Sequence, residues 1–363
     1  MRILHFITSL RTGGAERLVS GLGQQMRNSG DEVEVLLMDG TRTSMVDELD
    51  NNGIPVHSLG KGPRAMYNPF LLPKLVRFLR THPFDIVHTH NTPCQILTAL
   101  APARFKITTE HGSQNRRRNW PWFRPIDRWM YGRYKKIVCV GEETRKTLSE
   151  WLDNPKLNKR MAIVPNGIDL NRIASATSAE DLAKQKGYKV LMVSAFRPEK
   201  DQQTLIRAFQ QLPKIYHLFL AGGAETPDNQ RILEACKALA RDLPVHFLGL
   251  RPDVPALLAA ADVIVLSSRH EGMSLAVLEG MASGKPLLAS DVDGLRDLVS
   301  GAGLLFPQGD ATSLAELIRE VCENPAFAAE IARKCQERAR QYDIAETARR
   351  YREEYNNLLS CPN

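Results

Sequence analysis

The sequence lacks the patterns of a disulfide-bonded, zinc-binding or membrane-spanning protein. Its six cysteines include no Cys-x-x-Cys pair, and no histidines cluster at metal-ligand spacing along the chain. Such scattered cysteines indicate buried thiols in a reducing compartment. No apolar run approaches the roughly 18 residues that cross a bilayer. Residues Met1 to Leu10 are typical of a strand and lack the cationic start and cleavage site of a signal peptide. We therefore expect a cytoplasmic protein.

The length and the hydrophobic pattern predict an α/β protein of two domains. The chain has 363 residues, whereas a domain usually has about 100–200. Short apolar runs rich in Val, Ile and Leu alternate with helical patterns, which indicates parallel sheets covered on both faces. The runs predicted as strands are 3–7, 33–38, 86–88, 107–109, 137–140, 162–164, 190–193, 218–220, 246–248, 263–266, 287–289 and 304–306.

The boundary between the domains is predicted from the polar segment 171–187, which has no strand pattern and is the best candidate for a linker. This places an N-terminal domain at 1–170 and a C-terminal domain at 188–340. The remaining segment, 341–363, is predicted to be a helix that packs back toward the N-terminal domain.

One segment carries a charge excess equal to that of the whole protein. Residues 113–136 contain eight cations and one acid, a net charge of +7, interleaved with three tryptophans and other aromatics. This mixture favours an anionic membrane surface, where each cation contributes about 1 kcal/mol. The alternative is a solvated helix with its aromatic face on the domain core. Nucleic-acid binding is not expected, because no nucleic-acid motif accompanies the patch. Its first cations are Arg116, Arg117 and Arg118.

Polar residues follow the predicted strands of the first half, and ligands bind at the carboxyl ends of parallel strands. Gly13 and Gly14, with Glu16 just after them, separate the first strand from a helix. Such a turn lets the backbone approach an anion, or is simply a tight turn. Two later strands end near His90 and His111. Imidazoles at one sheet edge can bind hydroxyls or phosphate, or transfer protons, or be structural.

The second half carries the more specific pattern. Arg197 and Lys200 follow one strand and precede a helix, as in a clamp for a diphosphate. Another strand is followed by Glu271, Gly272 and Ser274 at a helix start, where backbone amides favour an anion. The carboxylates of Glu271 and Glu279 would repel an anion bound beside them, so a functional role requires another task, such as accepting hydrogen bonds from sugar hydroxyls. The alternative is that both are ordinary surface carboxylates.

These residues resemble a known family. The segment from Glu271 to Pro286 is similar to the Glu-x7-Glu signature of the retaining glycosyltransferases of family 4. The resemblance covers nearly the whole chain and implies the GT-B architecture, two Rossmann-like domains facing a cleft, with no required metal or cofactor. Other matching stretches are Gly13–Glu16, His111–Gly112, Val164–Asp169, Pro198–Lys200 and Leu248–Arg251, with Asp262.

The resemblance also implies a role for each matching residue. Glu279 would hold the donor ribose, and Glu271 would hold the transferred sugar. Lys200 would neutralise the diphosphate, and Gly14 would approach it. His111 would contact the sugar near the reaction centre. The remaining donor contacts would be the amides of Met273, Ser274 and Leu275, with Leu250 and Arg251 beside the base.

One position departs from the family pattern. The family's clamp arginine aligns with Ala195, and Arg197 lies two residues later. In an extended chain, residues two apart point to the same side. Arg197 is therefore the candidate replacement.

The expected function is transfer of a sugar, with a UDP-sugar favoured as donor, to a saccharide or a polyprenyl-pyrophosphate-linked acceptor in cell-surface polysaccharide or lipopolysaccharide synthesis. Glu16, His90 and the three arginines are expected on the acceptor side or at the inner face of the cytoplasmic membrane. Two alternatives remain: a nucleotide-sugar 2-epimerase of the same fold, and a non-catalytic assembly protein that binds sugar nucleotides.

Overall fold

A computed structural model describes residues 1–11, 13–62, 65, 68, 70–113 and 115–360, except for the side chain of Arg116. The chain divides into two compact units. The first contains the residues up to Gly167 and the segment that starts at Ile344, and the second contains Ile168–Asp343.

The first unit is built on a parallel sheet of seven strands in the order β3-β2-β1-β4-β5-β6-β7. Its strands are β1 (Arg2–Ile7), β2 (Glu32–Leu37), β3 (Val56–Ser58), β4 (Ile86–His90), β5 (Phe105–Glu110), β6 (Lys136–Cys139) and β7 (Met161–Ile163). Its helices are α1 (Gly14–Asn28), α2 (Ser44–Asn51), α3 (Leu71–Thr81), α4 (Thr92–Leu100), α5 (Arg124–Gly132), α6 (Glu142–Leu152), α7 (Pro155–Asn158) and the C-terminal α17 (Ile344–Ser360), with 3₁₀ turns at Arg116–Asn119 and Pro121–Phe123.

The second unit is built on a parallel sheet of six strands in the order β10-β9-β8-β11-β12-β13. Its strands are β8 (Tyr188–Val193), β9 (Tyr216–Ala221), β10 (Val245–Gly249), β11 (Val263–Leu266), β12 (Leu287–Ser290) and β13 (Leu304–Phe306). Its helices are α8 (Leu170–Ala174), α9 (Glu180–Ala183), α10 (Gln202–Phe209), α11 (Pro227–Leu239), α12 (Val254–Ala260), α13 (Leu275–Ala282), α14 (Arg296–Val299), α15 (Ala311–Glu323) and α16 (Pro325–Ala339), with 3₁₀ turns at Pro198–Lys200 and Arg340–Tyr342.

The α/β fold of two parallel sheets is confirmed, and each of the predicted apolar runs overlaps a strand, although the runs 33–38, 137–140 and 162–164 each extend one residue past it. The sequence did not predict β3, a three-residue strand that pairs with β2 at the edge of its sheet. A strand this short gives no clear pattern. The predicted linker 171–187 differs from the structure, because it contains α9 and most of α8 and belongs to the second unit.

The last helix, α17, belongs to the first unit and packs against α1. Gly21 of α1 allows this approach, because a Cβ atom there would lie 3.0 Å from Cγ1 of Ile344. The rings of Tyr351 and Tyr355 on α17 are fully buried. The C-terminal helix is therefore part of the core of this unit.

The order of the strands fixes where ligands can bind in each unit. In the first sheet, the strands before β4 are added on one side of β1 and the later strands on its other side, so the direction reverses between β1 and β4. In the second sheet it reverses in the same way between β8 and β11. At such a reversal the loops after the two strands diverge and leave a crevice at their carboxyl ends. In the second unit these are the loops that contain Lys200 and Glu271, and in the first unit they follow Ile7 and His90.

Candidate active site

Lys200 and Glu271 come from the two loops at the strand reversal of the second unit. The Nζ atom of Lys200 lies 2.5 Å from Oε1 of Glu271, and both side chains are largely buried. The hydroxyl of Ser268 donates a second hydrogen bond of 2.7 Å to the same carboxylate oxygen. The structure thus brings together two residues that are 71 positions apart in the sequence.

Backbone and side-chain bonds join these loops along their length. The amide of Arg269 donates to the carbonyl of Glu199 at 2.8 Å. The hydroxyl of Ser267 donates to the carbonyl of Asp201 at 2.9 Å, and the Arg269 guanidinium pairs with the Asp201 carboxylate at 3.4 Å. These contacts join the two loops, so they also hold the backbones of Lys200 and Glu271 close to each other.

The second loop leads into helix α13, whose N-cap residue is Ser274. The Ser274 side chain does not cap the helix, and the first amides of a helix have no acceptor within it. This end therefore offers donors to an anion. Glu279 lies on α13, and both Glu279 and Met273 take part in further interactions of their own.

Gly294 supports this loop and was not predicted from the sequence. Its φ angle is +82°, and a Cβ atom there would overlap the carbonyl oxygens of Glu271 and Gly272. A glycine in a polar loop carries no periodic signal, so only the structure shows that this position must be small.

The residues predicted to contact the diphosphate and the base differ in their surroundings: Arg197 and Leu250 are exposed, whereas Arg251 is held by acidic neighbours. Arg197 is more than half exposed, and its nearest partner is the carboxylate of Glu199 at 4.0 Å. The side chain of Leu250 is 53% exposed. Arg251 is instead held by ion pairs of 2.6 Å to both Asp181 and Asp253. These ion pairs give Arg251 a structural role at this edge of the sheet. Of the two residues predicted beside the base, Leu250 is the exposed one.

One Asp-x-Asp sequence, Asp291-Val292-Asp293, also lies in this unit, and a pair of this kind can hold a divalent metal ion that bridges to a diphosphate. Arg296 pairs with Asp291 at 2.6 Å and with Asp293 at 3.0 Å. Both carboxylates therefore already have a cationic partner.

In the first unit, three histidines form a chain of hydrogen bonds across the strand ends. The Nδ1 atom of His5 lies 3.1 Å from Nε2 of His90. The Nδ1 atom of His90 lies 3.1 Å from Nε2 of His111. The predicted residues His90 and His111 are thus brought together. His5 was not predicted, because a histidine within the apolar strand β1 reads as a core residue.

His88 lies beside this chain but has other partners. Its Nδ1 atom is 2.6 Å from the hydroxyl of Tyr355, and its Nε2 atom is 2.8 Å from the hydroxyl of Thr109. Thr109 is in turn 3.0 Å from the hydroxyl of Tyr351. Helix α17 therefore holds β4 and β5 through two buried hydroxyl contacts.

The sequence-based statement that no histidines cluster at metal-ligand spacing is wrong in three dimensions. One nitrogen from each of His5, His88 and His90 lies within 4.8 Å of the others, close enough for a metal ion. The hydrogen bonds just described already occupy both nitrogens of His88 and of His90. The donor set fits a chain of hydrogen bonds better than a bound metal.

Burial keeps these imidazoles neutral. It lowers the pKa of His5 and of His111 from 6.5 to about 4. It also lowers the pKa of His88 and of His90 well below the usual value, and the neighbouring histidines add to the effect. At neutral pH each ring therefore carries one proton, and each can be a donor at only one nitrogen.

A buried carboxylate immediately precedes His111. Glu110 accepts hydrogen bonds from Gln95 and Tyr131, each at 2.6 Å, and pairs with Arg118 at 2.9 Å. Its three partners hold the end of β5 in place. Glu110 was not predicted as a site residue. The feature of the sequence that could have indicated it is its position directly before His111.

The arginines predicted to face a membrane are placed elsewhere. The side chains of Arg117 and Arg118 are only 11% and 10% exposed, and Arg117 pairs with the buried Asp127 at 3.3 Å. The prediction that these two cations bind lipid is therefore corrected, since they neutralise internal carboxylates. The side chain of Arg116 lies outside the described residues.

Three tryptophans and one isoleucine of the same segment are exposed, whereas its Tyr131 and Tyr134 are buried. The exposed fractions are 57% for Trp120, 61% for Trp122, 45% for Ile126 and 41% for Trp129. Trp120 and Trp122 stack with ring centroids 5.9 Å apart, and the Arg133 guanidinium lies over the Trp129 ring. Exposed apolar side chains of this size mark an interaction surface where they form a contiguous patch, which makes these four residues candidates for one. We call Trp120, Trp122, Ile126 and Trp129 the aromatic surface.

The first loop places its glycines at the start of α1. Gly13 is the N-cap residue, and Gly14 is the first residue of the helix. The Glu16 carboxylate folds back over Gly13, where a Cβ atom would overlap it. Glu16 therefore lies at the helix start, where a negative charge is favourable. Thr12, just before the glycines, lies outside the described residues.

Comparison with known proteins identifies the family of the chain. A family model described as glycosyl transferases group 1 matches residues 175–342, and one described as glycosyltransferase family 4 matches residues 12–172. Among the described residues, no helix combines the length and the hydrophobicity needed to cross a bilayer.

Three relatives illustrate the similarity. A phosphatidyl-myo-inositol mannosyltransferase of Mycolicibacterium smegmatis is 26% identical over 91% of this chain and 86% of its own length. A UDP-Gal:alpha-D-GlcNAc-diphosphoundecaprenol alpha-1,3-galactosyltransferase of Escherichia coli is 25% identical over 69% of each chain. The structure of Anabaena HepE with UDP and glucose superposes with a TM-score of 0.86 at 23% identity, covering 98% of this chain and 100% of that one.

Proposed function

The chain belongs to glycosyltransferase family 4, and we propose that it transfers a sugar, with retention of anomeric configuration, from a nucleotide-diphosphate sugar to a saccharide or lipid-linked saccharide. The observation that carries this proposal is the contact between Lys200 and Glu271 at the strand reversal of the second unit. A cation and a carboxylate held side by side suit the two parts of a sugar diphosphate, its phosphates and its hydroxyls.

The donor is held by the second unit in this proposal. Lys200 neutralises the diphosphate, and Arg197 is the second cation in place of the arginine that Ala195 replaces. The amides at the start of α13 meet the phosphate oxygens. Glu271 accepts hydrogen bonds from the sugar, and Glu279 accepts them from the ribose. Leu250 borders the base.

Chemistry then needs little more than electrostatic stabilisation. The bond between the anomeric carbon and the phosphate oxygen breaks, and a bond to the acceptor oxygen forms on the same face. The acceptor proton leaves with the departing diphosphate. Negative charge grows on the phosphate as the bond breaks, and in this proposal Lys200 and the amides at the start of α13 stabilise it. His111 contacts the transferred sugar, and no protein nucleophile is required.

A UDP-sugar is the favoured donor, and a lipid-linked saccharide is the favoured acceptor. The first is supported by the UDP that HepE binds in a related fold. The second is supported by the two relatives, whose names give a phosphoinositide and a diphosphoundecaprenol acceptor. The proposed setting is synthesis of a cell-surface glycan at the inner face of the cytoplasmic membrane, with the aromatic surface against the lipid.

The test is a panel of UDP-, GDP- and ADP-sugars, first by thermal shift and then with lipid-linked acceptors. A ligand at about 100 times its dissociation constant stabilises a protein by about 2.7 kcal/mol. Transfer requires an added acceptor, and NMR of the product gives the anomeric configuration. A changed sugar without any acceptor would identify an epimerase, and binding without turnover would identify an assembly protein. An added chelator tests the expectation that no divalent metal is needed.

A further inference from the structure

Thr8 and Asn91 are the first residues of the two loops at the strand reversal of the first unit, after β1 and β4. The hydroxyl of Thr8 donates a hydrogen bond of 2.8 Å to Oδ1 of Asn91. Asn91 also directly follows His90, whose ring is linked to that of His111 at 3.1 Å. The side chain of Asn91 therefore lies between the carboxyl ends of β1 and β4, where a parallel sheet binds its ligands.

The backbone of Asn91 has a conformation that normally requires glycine. Its φ and ψ angles are 68° and 156°, in a region that residues with a Cβ atom almost never occupy. Asp153 and Asp201 also have positive φ angles, but their ψ angles of 54° and 45° place them in the left-handed helical region that aspartate and asparagine tolerate. The strain at Asn91 is thus of a less common kind, and such strain is concentrated at functional sites.

Asn91 also forgoes the stabilising role that its position favours. It is the N-cap residue of α4, and asparagine is a preferred N-cap residue because its side-chain oxygen can accept hydrogen bonds from the first helical amides. The Asn91 side chain makes no such bond, and its Oδ1 atom accepts from Thr8 instead. The stability of α4 therefore does not explain why an asparagine is held in this conformation.

The amide nitrogen is the part of Asn91 that a ligand can reach. Within the part of the chain that the structure describes, the side chain of Asn91 bonds to Thr8 alone, through Oδ1. The residue is half-buried, and its Nδ2 atom is not among the buried side-chain nitrogens that lack a partner. This nitrogen is therefore accessible to solvent, and it carries two N–H donors.

The charges around these loops favour a hydroxyl over a phosphate as the ligand group. Residues 8–13 and 91 contain one cation, Arg11, and it pairs with Asp39 at 3.6 Å. The nearby imidazoles are neutral at pH 7, because burial lowers the pKa of His90 well below its usual value and that of His111 to about 4. A phosphate is best bound by charged donors, whereas a neutral amide suits a sugar hydroxyl.

We propose that Asn91 binds the acceptor saccharide: its Nδ2 amide donates a hydrogen bond to an acceptor hydroxyl, and Thr8 is the positioning residue that holds the amide in this orientation. The inference rests on the proposed function, which assigns the donor to the second unit and leaves the first unit for the acceptor. The strained backbone serves this task, because it turns the side chain away from the amides of α4 and toward Thr8.

A glycine at position 91 separates the amide from the backbone conformation. Asn91→Gly adopts this conformation without strain and lacks the amide, so we expect the acceptor KM to rise about three- to tenfold while the donor KM is unchanged. Initial rates at varied acceptor and donor concentrations measure both constants, with the lipid-linked acceptor that supports transfer by the unaltered protein.

Asp153→Gly is the matched control, because Asp153 also has a positive φ angle and is the exposed C-cap residue of α6 in the same unit. It should leave both KM values unchanged. An unchanged acceptor KM in Asn91→Gly, or an equal rise in Asp153→Gly, overturns the proposal.

The positioning role of Thr8 is tested with two variants of similar size. Thr8→Val keeps the shape and removes the hydroxyl, and Thr8→Ser keeps the hydroxyl. We expect Thr8→Val to raise the acceptor KM about as much as Asn91→Gly does, and Thr8→Ser to restore most of the loss. Equal acceptor KM values in the two variants would show that Thr8 does not position the amide.

The strain can be measured without any substrate. Asn91→Ala and Asn91→Gly both lack the amide, but only alanine keeps the strain, so the glycine variant should unfold at least about 2 °C higher. Thermal unfolding followed by tryptophan fluorescence reports on this unit, where all four tryptophans lie. Equal Tm values would show that Asn91 is not strained.

The two proposals fail in different ways. An unaltered protein that transfers no sugar would contradict the proposed function and leave the strain at Asn91 standing. A protein that transfers sugar, with the same acceptor KM in Asn91→Gly, would contradict the role of Asn91 and leave the proposed function standing.

Discussion

Lys200 and Glu271 form an ion pair of 2.5 Å between the two loops at the strand reversal of the second sheet. The family resemblance assigns the lysine to the donor diphosphate and the glutamate to the donor sugar. Each group is thus a partner of the other. A diphosphate that binds at this loop brings a second anion to Lys200, whose ammonium the pair orients.

We predict that Lys200→Ala lowers kcat/KM about ten- to a hundredfold, because a charge-assisted hydrogen bond contributes about 1.5–3 kcal/mol. The measurement is the initial rate of transfer at several donor concentrations. Lys184→Ala is the control, since Lys184 is exposed and pairs with Glu180 in the same unit. Arg197→Ala is the companion variant. Unchanged kinetics in Arg197→Ala would mean that Lys200 is the one cation of the two that contacts the diphosphate. A normal rate in folded Lys200→Ala would mean that Lys200 does not contact the donor.

Because Arg118 pairs with a buried carboxylate, we expect its replacement to lower the stability of the protein and not its binding to lipid. Its pairing with Glu110 is largely buried, and removal of one partner from a buried pair costs about 3–5 kcal/mol. We therefore expect Arg118→Ser to lower the free energy of unfolding of the first unit by that amount. All four tryptophans lie in this unit, so urea unfolding followed by tryptophan fluorescence reports on it.

The matched control is Arg42→Ser, which removes the exposed pair of Arg42 with Asp47. Exposed pairs contribute little to stability, because solvent screens them. If Arg118→Ser were as mild as Arg42→Ser, the Glu110 contact would carry little of the stability of the loop.

The histidine chain predicts how stability depends on pH. The pKa of His5 and of His111 is about 4 in the folded protein, against about 6.5 in the unfolded chain. Between these values the unfolded chain binds protons that the folded protein does not. Stability is therefore full above pH 6.5 and falls as the pH drops toward 4, by up to about 1.4 kcal/mol per pH unit for each histidine.

Urea unfolding at about pH 7 and about pH 5.5 measures this dependence above the range where most carboxylates titrate. His5→Asn removes one titrating ring, so it should reduce the slope by about one proton. An equal free energy of unfolding at the two pH values would mean that folding does not lower the pKa of these histidines.

The fold and the donor loops could be predicted because they depend on local patterns. Apolar runs mark strands that are buried on both faces, and the polar residues that follow them lie at one edge of a parallel sheet. This reasoning led to Lys200 and Glu271 without any knowledge of their contact. It also led to His90 and His111, which share a hydrogen bond.

Particular contacts between side chains could not be predicted in this way. The partners of Arg117 and Arg118 are acids that the sequence shows only as nearby charges, so a count of charge could not tell an internal pair from a solvated face. The contact of His88 with Tyr355 spans 267 positions. His5 lies within an apolar strand, where nothing in the local pattern separates a linked histidine from an ordinary core residue.

The last prediction concerns the aromatic surface, where the corrected position of Arg117 and Arg118 leaves Trp120 and Trp122 as the main candidates for lipid contact. Aromatic side chains favour the bilayer interface, and burying each one contributes about 1.5–3 kcal/mol. We expect the double variant Trp120→Ala/Trp122→Ala to lose at least about tenfold in binding to anionic vesicles. Co-sedimentation with vesicles of varied anionic content, at low and high salt, measures it. Phe70→Ala is the control, because Phe70 is also exposed and lies outside this surface. Binding that the double variant leaves unchanged would mean that the aromatic surface does not bind a membrane and would favour a soluble acceptor.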